Sequence, residues 1–363
     1  MNYMEQALSL ARLALGQVSP NPAVGAVVVK GGAVIGQGFT QPPGSPHAEV
    51  MALNQAGKEA RGATMYVTLE PCAHYGRTPP CTQAIKEAGI IEVHLAMLDP
   101  NPLVSGRGKE ELEKEGIRVY LGEYEAEAKR LNEAYTKFIT TGKPFLIAKF
   151  AMSLDGKIAT RSGDSKWITG VEARQYVHSL RYTADAIMAG VNTVLVDDPQ
   201  LTCRCCGGRG GTAKRQPLRV IVDGKGRTPL SARIFHEPGK TLVAFGRRAT
   251  PEEKEAFKQA GAELLELSSK EGLVDLNTLM EELGRRGITS VLAEGGGTLL
   301  GSLFDSGLVD KVIAFIAPII IGGEKAKMAV AGEGVEKLAD SIKLKDVTLE
   351  KIGDDFVITG YVS

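Results

Sequence analysis

The chain has 363 residues, 43% of them hydrophobic, and its 43 basic and 43 acidic residues leave no net charge. That length is sufficient for two hydrophobic cores. Zero net charge disfavours a polynucleotide partner, because dedicated nucleic-acid binders usually carry a basic excess. The most apolar run, Val312–Ile321, is too short to span a membrane.

The amino-terminal segment Met1–Gln17 is predicted as an amphipathic helix. It is not typical of a secretory signal, because no basic stretch precedes an apolar block. Five cysteines are an odd number for a disulfide framework. We therefore expect a cytoplasmic protein with free thiols.

Both halves of the chain alternate between predicted strands and helices, which is typical of layered α/β domains. In the first half, Val24–Val29 and Ala33–Phe39 are predicted as a hairpin. A polar helix is predicted at Glu123–Thr140, followed by a joint at Thr141–Pro144. We therefore expect two domains, 1–143 and 144–363. In the second half, strands are predicted at Phe145–Ala151, Ala184–Gly190, Arg219–Asp223, Thr241–Phe245, Ser290–Glu294, Lys311–Ile321 and twice within Ile342–Tyr361.

A metal-binding pattern stands out in the first half. His47-x-Glu49, followed by Pro-Cys72 and a further Cys81, is the ordering found in zinc-dependent deaminases of nucleobase-like rings. His47, Cys72 and Cys81 are predicted to bind Zn²⁺ and to leave one position for a water of lowered pKa. Glu49 is predicted to move protons as the general acid and base. The alternative is a surface histidine and two buried thiols.

Residues two apart on a regular helix do not share a face, so His47 and Glu49 converge only if a helix begins there. Pro46 is predicted at the first helical position, and a second helix is predicted to begin near Cys81. Eight residues separate Cys72 from Cys81, so a loop must leave and return.

Other polar residues have two interpretations each. Arg77, in the loop between the cysteines, is a candidate phosphate anchor or a solvated arginine. Lys149 lies in an apolar strand, so it must face a cleft or be paired. The glycines after Glu294 join a predicted strand to a helix, where free backbone N–H groups can hold pyrophosphate. The cysteines Cys203, Cys205 and Cys206 are interpreted as free thiols in a loop.

The chain resembles the bifunctional deaminase–reductases of riboflavin biosynthesis along nearly its whole length. In the first half the matching segments are Asn21–Gly25, Pro46–Glu49, Thr68–Cys72, Gly76–Cys81 and Asp99–Pro102. In the second half they are Ser153–Gly156, Ser165–Thr169, Thr193–Pro199, Leu201–Arg204 and Glu294–Gly297.

The resemblance implies an amino-terminal cytidine-deaminase-like α/β/α domain and a carboxy-terminal dihydrofolate-reductase-like α/β domain. It also implies two reactions on one small phosphorylated pyrimidine. Zinc-dependent hydrolytic deamination of 2,5-diamino-6-(5-phosphoribosylamino)pyrimidin-4-one would precede reduction of its ribosyl to a ribityl chain with NADPH. A homo-oligomer is expected, with neither a membrane nor a nucleic acid as partner.

Site residues follow from the same resemblance. Asn21 would contact the ring edge, the alternative being a turn asparagine. Contacts to the reductase substrate are implied for Ser165, Arg181, Leu201, Arg204 and Glu294, with Arg181 and Arg204 suited to its phosphate. Lys149 is a further candidate, to bind the substrate carbonyl or to assist opening of the ribose ring. Contacts to NADPH are implied for Ala151, Trp167, Thr193, Asp197, Gly224, Gly296, Gly297, Thr298, Leu299, Leu300, Gly301 and Ser302.

The sequence departs from the family at Thr40, where a histidine usually stands, so no role is transferred to that position. Two other functions are considered. One is a nucleoside or tRNA deaminase whose carboxy-terminal half is a non-catalytic binding domain. The other is a scaffold in which zinc serves structure alone.

Overall fold

The computed structural model describes residues 2–75, 79–204, 215–267 and 272–363. The chain divides into two compact units, Met1–Lys143 and Pro144–Ser363. None of the helices in these ranges combines the length and the apolar content that crossing a bilayer requires.

The first unit is built on one mixed sheet. Its strands are β1 (Gly25–Lys30), β2 (Ala33–Phe39), β3 (Thr64–Val67), β4 (Glu92–Leu95) and β5 (Arg118–Leu121), in the order β2-β1-β3-β4-β5. The pairs β1–β2 and β1–β3 are antiparallel, and β3–β4 and β4–β5 are parallel. Its helices are α1 (Tyr3–Arg12), α2 (Ala48–Ala56), α3 (Cys81–Ala88), α4 (Arg107–Lys114), α5 (Glu125–Leu131) and α6 (Glu133–Thr141).

Glycines allow helices to pack closely on both faces of this sheet. A Cβ atom on Gly25 of β1 would lie 2.0 Å from the Ala7 carbonyl oxygen of α1. A Cβ on Gly36 of β2 would lie 2.1 Å from the Ala52 carbonyl oxygen of α2. Gly36 pairs with Val28, three residues beyond Gly25, so the two glycines face opposite sides. The predicted α/β/α layering is confirmed.

Two helix predictions need correction. The first helix ends at Arg12 instead of continuing to Gln17. The polar helix expected at Glu123–Thr140 is two helices that meet at Asn132. The buried amide of Asn132 accepts a hydrogen bond from the Ala23 N–H at 2.9 Å and donates one to the Ala23 carbonyl at 3.1 Å. The break between the two helices coincides with this long-range pairing, at a position where the local sequence predicts none.

The second unit is built on a larger sheet. Its strands are β6 (Phe145–Ser153), β7 (Ala186–Gly190), β8 (Leu218–Asp223), β9 (Thr241–Phe245), β10 (Ala262–Glu266), β11 (Ser290–Ala293), β12 (Lys311–Ala317), β13 (Leu344–Ile352) and β14 (Asp355–Val362). Their order is β10-β9-β8-β7-β11-β6-β12-β14-β13. Only the pairs β12–β14 and β13–β14 are antiparallel among the described strands of this sheet.

Helices cover both faces of this sheet. They are α7 (Val171–Thr183), α8 (Val191–Asp197), α9 (Pro251–Gln259), α10 (Leu276–Arg285) and α11 (Gly297–Asp305). Alternate strand residues face opposite sides: Met188 packs in the core formed with α10 and α11, whereas Ile187 packs in the core formed with α8 and α9. The sequence did not predict α8 or β10, and β12 ends at Ala317 rather than Ile321. Pro318 explains the early end, because it lacks an N–H for the strand ladder.

Candidate active sites

The three predicted zinc ligands meet in the first unit. His47 Nδ1 lies 3.2 Å from Cys81 Sγ and 3.6 Å from Cys72 Sγ. The ligand atoms of all three side chains lie within 4.8 Å of one another. One imidazole nitrogen and two thiol sulfurs are donors that suit tetrahedral zinc with an open fourth position, so the residues present fit this metal.

Two helix beginnings bring these side chains together. His47 is the N-cap of α2, with extended backbone (φ −71°, ψ 167°), and Glu49 lies in the first helical turn. The helix therefore begins at Ala48, and the prediction of Pro46 as the first helical residue is wrong. Because the backbone changes from extended to helical between His47 and Glu49, the two side chains can face the same point although they are two residues apart. Cys81 is the first residue of α3, as expected, and its backbone N–H lies 3.4 Å from Cys72 Sγ.

Charge is shared unevenly within this cluster. Hydrogen bonds from Cys81 and His47 lower the pKa of Cys72 to about 4, which favours its thiolate. The thiol of Cys81 keeps the shared proton, so its pKa is raised. Burial, followed by the negative charge of Cys72, raises the pKa of Glu49 to about 7. A carboxyl group of that pKa can both accept and donate protons near neutral pH.

The loop that carries Cys72 is held by its neighbour Glu70. The buried Glu70 carboxylate accepts hydrogen bonds from the N–H groups of Asp99 at 3.0 Å, Gly106 at 2.9 Å and Lys109 at 3.0 Å. A Cβ atom on Gly108 would lie 2.1 Å from the Pro71 carbonyl oxygen. Glu70 thus joins the end of β3 to the start of α4. The zinc-binding motif by itself gives no signal of this supporting role.

Other predicted residues of this unit differ in what surrounds them. Asn21 is half-buried, and its backbone N–H donates to the Val18 carbonyl oxygen in a turn. Arg77 lies outside the described residues. Thr40 is 5% exposed, and its hydroxyl accepts from the Val24 N–H at 3.0 Å and donates to the Val24 carbonyl oxygen at 3.4 Å. Thr40 therefore supports the backbone instead of presenting a hydroxyl to the site.

The second unit contains a buried cluster of three charges. Glu294 accepts two hydrogen bonds from Arg181, from Nε at 2.6 Å and from Nη2 at 2.9 Å. Lys149 Nζ lies 3.7 Å from the same carboxylate, which satisfies the expectation that Lys149 must be paired. Arg181 also donates to the Thr202 carbonyl oxygen at 3.1 Å.

The two positive charges keep Glu294 ionised. Burial acts to raise the pKa of Glu294, but the charges of Arg181 and Lys149 outweigh it and lower that pKa to about 2. Burial lowers the pKa of Lys149, and Glu294 offsets part of that effect. The cluster is thus a fixed pattern of charge at the strand β6 and directly after the strand β11.

A neutral histidine, absent from the sequence predictions, lies next to this cluster. His178 Nε2 is 3.3 Å from Arg204 Nη2, and Arg204 Nη1 also donates to Gln200 Oε1 at 2.6 Å. Burial and the positive charges of Arg181 and Arg204 lower the pKa of His178 to about 4. The spacing of His178 and Arg181 on one predicted helix face is the only signal that would have found it.

The remaining predicted substrate residues lie on the loops around α8. Leu201 is buried at 3% exposure with φ +49°. The Ser165 hydroxyl donates to the Asp197 carboxylate at 3.1 Å. Cys203 is buried, whereas Cys205 and Cys206 lie outside the described residues.

A cavity of about 930 Å³ opens beside α8 and α11. Six of the residues predicted to contact NADPH line it: Thr193, Gly224, Gly296, Thr298, Leu299 and Ser302. A Cβ on Gly296 would come within 4 Å only of Thr193 Oγ1, at 3.6 Å, so this face of the glycine turn is open. Gly296 is the N-cap of α11. A helix N-terminus facing a cavity of this size fits the pyrophosphate of a dinucleotide.

Other members of the predicted NADPH set do not line this cavity. Leu300 is fully buried in the core, and a Cβ on Gly301 would lie 1.8 Å from the Ala331 carbonyl oxygen. A Cβ on Gly297 would lie 2.5 Å from the Met328 carbonyl oxygen. These three residues pack α11 closely against neighbouring backbone or core. Ala151 lies in β6, Trp167 is 69% exposed with the Arg174 guanidinium 4.7 Å from its ring centre, and Asp197 ends α8.

Comparison with known families agrees with both units. Residues 1–97 match the cytidine and deoxycytidylate deaminase zinc-binding region, and residues 144–358 match the RibD C-terminal domain. Fold and sites therefore define a two-domain enzyme that joins a zinc-dependent deaminase to a reductase of the dihydrofolate-reductase-like class.

Relatives identify the family. The riboflavin biosynthesis protein RibD of Aquifex aeolicus is 43% identical over 357 residues, covering 98% of this chain and 97% of that protein. RibD of Escherichia coli is 42% identical over 360 residues, covering 97% and 96%. The solved structure of Acinetobacter baumannii RibD superposes with a TM-score of 0.88 at 40% identity, covering 99% of this chain and 98% of that one. The chain belongs to the RibD family of bifunctional riboflavin biosynthesis proteins, and the resemblance noted in the sequence is confirmed.

Proposed function

We propose that this chain catalyses two consecutive steps of riboflavin biosynthesis. Its substrate is 2,5-diamino-6-(5-phosphoribosylamino)pyrimidin-4-one, which it first deaminates by hydrolysis. It then reduces the ribosyl group of the product to a ribityl chain. We assign deamination to residues 1–143 and reduction to residues 144–363. The observation that carries the proposal is the meeting of His47, Cys72, Cys81 and Glu49 in a chain whose second unit matches the RibD reductase domain.

In the deaminase unit, His47, Cys72 and Cys81 would hold Zn²⁺, and bound zinc supplies a water acidic enough to form hydroxide near neutral pH. Glu49 would accept a proton from that water. It would then pass protons to the ring nitrogen and to the departing ammonia. Asn21 and Arg77 are proposed to position the ring and the phosphate.

In the reductase unit, NADPH supplies the hydride, and the protein supplies orientation. The open N-terminus of α11 at Gly296 would hold the cofactor pyrophosphate. The charge pattern of Lys149, Arg181 and Glu294 would orient the pyrimidine and the open form of the sugar. Further substrate contacts are proposed for Ser165 and Leu201. The cofactor contacts implied by the family stay proposals, namely Ala151, Trp167, Thr193, Asp197, Gly224, Gly296, Gly297, Thr298, Leu299, Leu300, Gly301 and Ser302.

Arg204 is the better candidate of the two arginines for the substrate phosphate. Nε and Nη2 of Arg181 both donate to the Glu294 carboxylate and Nη1 donates to the Thr202 carbonyl oxygen, so the charge of Arg181 is already compensated. The partners of Arg204 are the neutral Gln200 amide and the neutral His178 ring. Its positive charge therefore stays available for a phosphate oxygen.

The proposed assembly is a cytoplasmic homo-oligomer that acts on a small molecule and not on nucleic acid. Strand β13 is an edge of its sheet, and its exposed residues include Val347 at 55% and Leu349 at 65% exposure. An edge strand presents backbone N–H and C=O groups that can pair with a strand of another chain. Light scattering of purified protein would test this, and a monomer at micromolar concentration would contradict it.

Mass spectrometry tests the whole proposal. The pure protein is incubated with the pyrimidine phosphate, with and without NADPH. Without NADPH the product should have exchanged one NH for O, and with NADPH it should also have gained two hydrogens. A nucleoside or tRNA deaminase with a non-catalytic second domain would give neither product. A scaffold with structural zinc would leave the substrate unchanged.

A further inference from the structure

The cofactor cavity is lined by two positive side chains, Lys225 and Arg227, within the part of the chain that the structure describes. Both belong to the loop that leaves the carboxyl end of β8 and turns at Gly226 (φ +71°). NADPH differs from NADH by a 2′-phosphate on the adenosine ribose, a dianion that needs positive partners. A role for Lys225 and Arg227 in binding that phosphate depends on the proposed reductase function.

The order of the strands places this loop at the adenosine end of the cavity. Strands β8, β7, β11 and β6 are consecutive neighbours and parallel, so their carboxyl ends share one edge. Of the proposed substrate residues, Lys149 lies in β6 and Glu294 directly follows β11, which requires the nicotinamide there. The glycine turn before α11 takes the pyrophosphate. At about 4.8 Å per strand, β8 lies about 14 Å from β6, at the far end of an extended dinucleotide.

The local contacts leave the positive charge of this loop uncompensated. Arg227 Nη2 donates to the Asn192 side-chain oxygen at 2.9 Å, and Asn192 itself lines the cavity from α8. No carboxylate of the described residues pairs with Lys225 or Arg227. A neutral partner orients the guanidinium of Arg227 without neutralising its positive charge. Both side chains are exposed at the cavity rim, where a phosphate can reach them.

Two acidic side chains that line the same cavity are hydrogen-bonded to other groups than Lys225 and Arg227. The Asp275 carboxylate caps α10, accepting from the Thr278 N–H at 3.1 Å and the Thr278 hydroxyl at 2.9 Å. Asp305 accepts from the Glu333 N–H at 3.2 Å, and Asp305 and Glu333 together make that end of the cavity negative. The 2′-phosphate dianion is therefore directed away from Asp305, at the carboxy-terminal end of α11, and from Glu333, and toward the loop after β8.

We infer that Lys225 and Arg227 form the binding site for the 2′-phosphate of NADPH, and that this pair determines the preference for NADPH over NADH. Arg227, oriented by Asn192, binds phosphate oxygens through its guanidinium fork. Lys225 adds a mobile second charge from the same loop.

Calorimetry on the full-length protein tests this with 2′,5′-ADP and 5′-AMP as probes and with NADPH and NADH as ligands. The probes need no turnover, so the result does not depend on catalysis. Wild-type protein should bind 2′,5′-ADP more tightly than AMP. Lys225→Gln and Arg227→Gln should each weaken the binding of 2′,5′-ADP and NADPH by about 10- to 100-fold, since each removes a charge-assisted contact. The binding of AMP and NADH should stay unchanged.

Lys258→Gln is the matched control, because Lys258 is an exposed lysine on α9 that does not line the cavity. It should change no affinity. Arg227→Lys should retain part of the preference, because it keeps the charge. If the glutamine variants weaken NADPH and NADH equally, or change neither, the assignment of the 2′-phosphate site is wrong. If wild-type protein binds neither dinucleotide, the reductase assignment itself is wrong. That result differs from failure of the 2′-phosphate site alone, in which wild-type protein still binds NADPH.

Discussion

Two buried glutamates, Glu49 in the first unit and Glu294 in the second, have opposite electrostatic surroundings. Glu49 lies beside the Cys72 thiolate, and burial and that negative charge raise its pKa to about 7. Glu294 lies between Arg181 and Lys149, which lower its pKa to about 2 despite burial. The same side chain is thus suited to proton transfer in one unit and to fixed charge in the other. Both carboxyl groups are buried, so burial alone does not determine their roles. The sign of the neighbouring charge determines whether the pKa rises or falls.

Removing the first carboxylate should give the largest effect. Glu49→Gln should lower the rate of ammonia release from the pyrimidine by about 10²- to 10⁴-fold, because general acid–base catalysis contributes that much. NADPH oxidation with the deaminated intermediate should be unaffected. An enzyme-coupled ammonia assay and absorbance of NADPH measure the two rates. Normal ammonia release by the variant would remove Glu49 from the mechanism.

Removing a partner of the second carboxylate should affect stability as well as reduction. Arg181→Ala leaves Glu294 buried without its main counter-charge, which should cost about 3–5 kcal/mol of unfolding free energy. Urea titration followed by the fluorescence of the single tryptophan, Trp167, reports on this unit. The double variant Arg181→Ala/Glu294→Gln should recover part of the loss. If the single variant is as stable as wild type, the cluster does not hold the unit together.

The neutral histidine beside the fixed charges should make stability depend on pH. The pKa of His178 is lowered from 6.5 to about 4 in the folded protein. Between these values the unfolded chain binds more protons, so stability should fall as pH falls. After allowance for partial exposure, we expect about 1 kcal/mol between about pH 7 and about pH 5.

His178→Gln is the comparison that isolates this contribution. The variant should lose less stability than wild type over the same pH range, measured by the same tryptophan fluorescence. Equal losses in the two proteins would mean that His178 does not titrate differently on unfolding.

A buried polar group that serves only the backbone should give the smallest effect. Thr40→Val removes a hydroxyl that bonds both the N–H and the carbonyl of Val24. This should cost about 1 kcal/mol of stability while leaving ammonia release unchanged. A large loss of deamination at full stability would instead assign Thr40 to the substrate.

Much of this organisation could be predicted from local patterns. The helix beginning at His47, the one at Cys81 and the strand–glycine–helix turn after Glu294 depend on residues close in sequence. Contacts between distant residues could not be predicted in this way. Glu70 holds the start of α4, and Arg181 pairs with a carboxylate 113 positions away, and neither pairing has a periodic signal. The close approach of Gly301 to the Ala331 backbone likewise has no local signal.

The measurement that tests the two-site account most directly is the activity of zinc-depleted protein. After treatment with a chelator, the full-length enzyme should release no ammonia from the diaminopyrimidine phosphate. It should still oxidise NADPH with the deaminated intermediate at the rate of untreated enzyme, and added Zn²⁺ should restore ammonia release. Loss of both activities on chelation, or survival of ammonia release, would contradict the account.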